Sequence, residues 1–197
     1  MAEPCYPNRF AADWIAAMTE VMGDHGVHEM LTLAAAAPPV DTSLQRAYAF
    51  TTIGRINAAL DQVYGVRGGR GMALRAGRAW FANGMRVFGA LRGVADPAFR
   101  VLSVPDRCRV VLLAQADIFT HFSDQPMRLE ETASDFRMIT LASPFAEGIT
   151  AARPVCHTLV GLLHEAMRWA SNGRDLLVRE SACRSTGSAA CIFVVHK

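Results

Sequence analysis

Two stretches near the carboxy terminus decide the fold: Pro154–Trp169, PVCHTLVGLLHEAMRW, and Leu176–Val195, LLVRESACRSTGSAACIFVV. In the first, Leu159, Leu163, Ala166, Met167 and Ala170 recur at helical spacing, and Asn172-Gly173 ends the run. In the second, Leu176–Glu180 and Cys191–Val195 read as two strands joined by a loop containing Gly187. Cys191-Ile-Phe-Val-Val is apolar at every position, which predicts a central strand covered on both faces.

Upstream of that segment, Met127–Glu131 alternates apolar with polar, and Phe136–Leu141 reads as a second strand after a turn at Ser134-Asp135. Before Asp124 the periodicity is helical. Phe10, Trp14, Ala17, Met18 and Val21 form one stripe. Ala49, Ile53, Ile56, Leu60 and Val63 form another, stopped at Tyr64-Gly65. Trp80, Gly84, Val87, Phe88 and Leu91 share a third face, with Arg75, Arg78 and Arg86 opposite. Ser103-Val104-Pro105-Asp106 predicts a helix start, followed by Val111, Ala114, Ile118 and Phe122. The expected architecture is α+β: amino-terminal helices packed on a small antiparallel sheet. A single domain is expected over 1–197, with 1–124 mainly helical and 125–197 carrying the sheet and a metal site.

The composition narrows the function classes. The chain has 197 residues, 51% hydrophobic and 19% charged, which excludes long disorder. A net charge of +2 is too small to argue for nucleic acid or a membrane surface. No apolar run approaches the ~18 residues of a membrane span, and MAEPCYPNRF lacks a signal-peptide core. The expected location is the cytoplasm.

Five cysteines at irregular spacing do not read as a disulfide framework. Cys5 and Cys108 stand alone, whereas Cys156, Cys183 and Cys191 crowd the carboxy-terminal segment around Glu180. Three thiolates and one carboxylate would fill the four positions of a closed zinc tetrahedron. Glu180 and Cys183 lie three residues apart, so a regular strand sends them to opposite faces. A bulge near Ser181-Ala182 is therefore required for both to reach one ion. Two alternatives stand beside zinc: three buried core thiols, or a Cys183–Cys191 disulfide that a reducing cytoplasm disfavours. His157 is a further candidate ligand.

These carboxy-terminal stretches resemble the 4-vinyl reductase (4VR) domain family. The shared elements are a cysteine before a helix, E-x-x-C, a small-residue turn with glycine, and C-x-F on the last strand. Tyr6–Gly26 (YPNRFAADWIAAMTEVMGDHG) and Tyr64–Gly89 (YGVRGGRGMALRAGRAWFANGMRVFG) also look like stand-alone bacterial members of small-molecule- or hydrocarbon-binding type. The resemblance implies a TRAPP-like, NO-signalling-type ligand-binding fold, often dimeric, with a buried pocket for a small hydrophobic molecule. Its phenol-sensor branch, the sensing domains of aromatic-responsive activators, implies a structural zinc on Cys156, Glu180, Cys183 and Cys191. The C-P-x-C motif of stand-alone relatives is replaced here by Ser143-Pro144-Phe145-Ala146.

Other features are less specific. VRGGRG (66–71) reads as a glycine-rich helix start, with anion binding as the alternative. Trp80, Phe88, Phe119, His121, Phe122, Phe136 and Trp169 are candidate ligand-pocket residues, although aromatic stripes at helical spacing also build cores. No nucleophile–base constellation or dinucleotide fingerprint is present, so no catalytic residue is assigned. The expected function is a zinc-containing sensor or carrier for a hydrophobic or aromatic ligand. A haem or other tetrapyrrole is a candidate without a specific motif. A homodimer and a protein partner for output are expected. The alternatives are a reductase, or an accessory to one, acting on the vinyl group of a chlorophyll precursor, and a ligand-free dimeric scaffold.

Overall fold

The computed structural model describes residues 3–197. The chain opens with β1 (Cys5–Pro7), α1 (Asn8–Leu33), β2 (Arg46–Ala49) and α2 (Phe50–Asn83). A short turn, α3 (Pro97–Arg100), and the long α4 (Val104–Phe122) follow. The remainder is β3 (Met127–Glu131), β4 (Asp135–Thr140), α5 (His157–Ala170), β5 (Val178–Ala182) and β6 (Cys191–His196). The α+β class is as the periodicity predicts. Ser103 caps α4, its hydroxyl accepting from the Asp106 N–H.

Two features depart from the sequence expectations. The mainly helical part contains a two-stranded antiparallel ribbon, β1 with β2, too short to show a period. The helix expected to run through Leu91 stops at Asn83, and Met85–Val87 and Gly89–Ala95 are 3₁₀ turns. As the stop at Tyr64-Gly65 predicts, α2 is two helices in series, because Gly65 has φ +68° and ψ 161°. That left-handed value suits glycine, and it places VRGGRG at the start of the second half.

The main sheet has the order β3-β4-β6-β5, all antiparallel. β6 is interior as expected, with Cys191, Phe193 and Val195 fully buried and Ile192 half-buried. Its register with β5 shifts between Glu180 and Ala182. That irregularity lies where Glu180 and Cys183 need it to share a face.

The helices close on an aromatic interior. The Tyr6 ring lies 5.8 Å from Phe10, 5.3 Å from Phe50 and 6.0 Å from Phe119. Trp14 meets Phe145 edge-on at 5.2 Å, and Trp80 meets Phe119 at 6.1 Å. α2 and α5 cross at glycines: a Cβ on Gly77 would sit 2.0 Å from the Thr158 carbonyl oxygen. One on Gly161 would sit 2.1 Å from that of Leu74. This close crossing seats the first turn of α5 against the helices, and Cys156 immediately precedes it.

Candidate metal centre

Cys156 occupies the residue before α5, Glu180 lies on β5, Cys183 follows β5, and Cys191 opens β6. One ligand atom from each lies within 4.8 Å of all the others. The sulfur separations are 3.7 Å for Cys156–Cys183, 3.7 Å for Cys156–Cys191 and 3.8 Å for Cys183–Cys191. Around an ion bonded to sulfur at about 2.3 Å, the edge of a regular tetrahedron is about 3.8 Å. All five cysteines are unpaired, so the disulfide alternative is absent.

Hydrogen bonds orient the donors. The Cys156 N–H donates to Glu180 Oε2 at 2.9 Å, while Glu180 Oε1 is buried without a partner. Ser185 Oγ donates to Cys183 Sγ at 3.1 Å, and the Arg184 N–H approaches Cys191 Sγ at 3.4 Å. Ser143 Oγ lies 3.3 Å from Cys156 Sγ. The serines were not identifiable as site residues from sequence, since Ser143 is distant in the chain and Ser185 sits in an unremarkable loop. His157 does not join the cluster of four ligand atoms; it borders a neighbouring groove.

The electrostatics favour a cation. Burial pushes the Cys156 thiol well up, and burial with the adjacent Cys183 thiolate pushes Glu180 up to about 9. The Cys156 and Cys191 thiols, by donating to it, hold Cys183 far below the usual thiol range. A divalent ion would let all four groups ionise.

Beside the cluster runs a groove of about 640 Å³ bordered by Glu180, His157, Arg67 and Arg70, which brings VRGGRG next to the cysteines. The seven aromatic or histidine pocket candidates do not gather around one cavity. Trp80 and Phe119 are fully buried against each other, Phe88 meets Phe122 at 5.0 Å, and His121 is exposed. Phe136 lies on β4 under the Lys197 ammonium, 4.6 Å away. Trp169 alone of the seven borders a described cavity, of about 680 Å³. No described helix is long and apolar enough to cross a membrane.

No family model matches the chain, and no curated protein matches it. Its fold is similar to that of solved H-NOX (haem NO/oxygen-binding) domains. The H-NOX protein from S. oneidensis, described in its Fe(II)NO ligation state, is 13% identical with a TM-score of 0.62. That likeness covers 97% of this chain and 99% of the other. The Fe(II) unliganded H-NOX protein from K. algicida is 14% identical with a TM-score of 0.59, covering 97% and 96%. This corrects the 4-vinyl reductase assignment: the solved structures whose fold this chain shares are H-NOX domains. The short carboxy-terminal motif is a local pattern, whereas the likeness to H-NOX domains rests on the path of nearly the whole backbone. The NO-signalling-type fold stands.

Proposed function

We propose that this chain is a small-molecule-binding sensor or carrier domain whose carboxy-terminal half is held together by one structural zinc ion on Cys156, Glu180, Cys183 and Cys191. The observation that carries the zinc is the triangle of sulfurs at 3.7, 3.7 and 3.8 Å, closed by the unpartnered Glu180 Oε1. With four protein ligands the ion has no open position, so its role is to join the start of α5 to β5 and β6. One chain supplies every ligand, and the site needs no second copy. The ligand-binding part of the reading is supported by the likeness to H-NOX folds and by the two cavities. The output then passes to a protein partner. Elemental analysis of purified protein tests the metal: about one zinc per chain is expected, and a metal-free, stably folded protein would refute it.

Haem is the second reading, because the neighbours are haem proteins by description. The histidines of this chain do not fit an interior haem. Such a group needs an axial histidine, thiolate, methionine or tyrosinate. All six histidines are exposed or half-buried, and the aromatic interior is filled by rings 5–6 Å apart. Cys108 is buried with its pKa raised by that burial, which keeps it a thiol. The fold is shared, while no fully buried histidine is available to hold the group.

A further inference from the structure

On α4, Arg107 occupies the same helical stripe as Val111, Ala114, Ile118 and Phe122, and only 6% of it is exposed. Its Nε has no hydrogen-bond partner, and no carboxylate lies within ion-pair distance among the described residues. Burying a guanidinium nitrogen without a counter-charge or hydrogen-bond acceptor is costly. Arg107 borders the cavity of about 680 Å³, within the range of small-molecule sites.

The other walls supply a matching chemistry. Arg86, Arg100 and Arg168 line the same cavity and are exposed at its rim. Only Arg168 has an acidic neighbour, Glu165 at 3.7 Å. Four arginines against one glutamate leave the cavity strongly positive. Its apolar side is aromatic: Trp169 stacks on Phe99 at 6.2 Å with planes 22° apart, and packs against Phe81 at 5.8 Å. The 3₁₀ turns and α3 fold across the gap between α2 and α4 and contribute Arg86 and Arg100.

We infer that this cavity binds an aromatic carboxylate, whose planar head is received by Arg107 and whose ring lies against Trp169 and Phe99. A carboxylate matches the two-pronged guanidinium fork, and the aromatic wall admits a flat apolar body. The inference rests on the small-molecule reading above and gives it a site and a ligand class. It is independent of the zinc, which lies among other residues.

Calorimetry with 2-naphthoate, its neutral isostere 2-naphthamide and 1-naphthyl phosphate tests it on the full chain. One 2-naphthoate per chain is expected, at least tenfold tighter than the amide and tighter than the phosphate. Arg107→Met should weaken the carboxylate at least tenfold, leave the amide unchanged, and raise the melting temperature of the ligand-free protein. Added 2-naphthoate should raise the melting temperature of the wild type and not of the variant. Trp169→Phe should remove the ligand-induced change in fluorescence and weaken 2-naphthoate, since it shrinks the aromatic wall. Equal affinity for acid and amide, tighter phosphate binding, an unaffected Arg107→Met variant, or no binding at millimolar concentration would each overturn the inference. Equal binding of acid and amide would leave the broader small-molecule reading standing.

Discussion

The backbone N–H of Cys156 is bonded to Glu180 Oε2 at 2.9 Å, so the start of α5 and the edge strand β5 are already tied through the Glu180 carboxylate. Glu180 Oε1 is buried without a partner, and one carboxylate oxygen of Glu180 lies within 4.8 Å of the three sulfurs.

Glu180→Gln should therefore lose the carboxylate corner and weaken zinc less than loss of a thiolate. The amide oxygen can keep the Cys156 contact, and water can fill the open position. Cys183→Ser and Cys191→Ser should yield metal-poor protein that aggregates, since structural zinc in peptides is worth ~10–16 kcal/mol apparent. Cys5→Ser and Cys108→Ser should retain the full metal content. Zinc content and thermal melts of the four serine variants, set beside Glu180→Gln, check this. Wild-type zinc levels in Cys183→Ser would refute the ligand set.

The α2–α5 crossing should tolerate no side chain at its centre. In Gly161→Ala the new methyl would lie 2.1 Å from the Leu74 carbonyl oxygen, and in Gly77→Ala 2.0 Å from that of Thr158. Both obstacles are backbone, so whole helices must separate. A loss of about 1–3 kcal/mol or more is expected in urea unfolding. Gly71→Ala on the same helix, with nothing within 4 Å, should cost nothing comparable and gain helix propensity.

Acid sensitivity should reside partly in Glu131. Arg109 grips both its oxygens at 2.7 Å and Lys197 adds a contact at 2.7 Å, which lowers its pKa from 4.5 to about 2. A depressed folded-state pKa gives stability that is present above the unfolded carboxylate value and lost as pH falls towards 2. Melting temperature should fall between pH 4.5 and 2 in the wild type, and less steeply in Glu131→Gln. Identical slopes would exclude this carboxylate as a contributor.

Titration with haemin should give no specific sharpened Soret band at one equivalent. Retention of haem through gel filtration, lost in His157→Ala, would reverse the conclusion drawn from the histidine placement. His157 is the appropriate control because it borders a groove and burial lowers its pKa to about 4, keeping it neutral.

The sequence by itself determined the α+β class, the N-cap of α4, the central position of β6 and the grouping of Cys156, Cys183 and Cys191. Each follows from local periodicity, capping chemistry or proximity along the chain. It also showed that Glu180 and Cys183 need a bulge, because strand alternation is a local rule. It misjudged the segment after Asn83, where the apolar stripe persists but Gly84 ends the helix. β1 and β2, at three and four residues, were too short to announce themselves.

Only the tertiary structure decided the sulfur geometry, the serines beside it and the closure of the interior by Tyr6, Trp80 and Phe119. These depend on residues brought together across the chain, and no spacing rule encodes such meetings. Arg107 left one trace, a cation on an apolar stripe, but a helix pattern cannot say whether its neighbours supply a carboxylate. The fold put arginines and aromatic rings there instead, because the 3₁₀ turns and α3 bring Arg86, Phe99 and Arg100 to the same cavity as α5's Trp169.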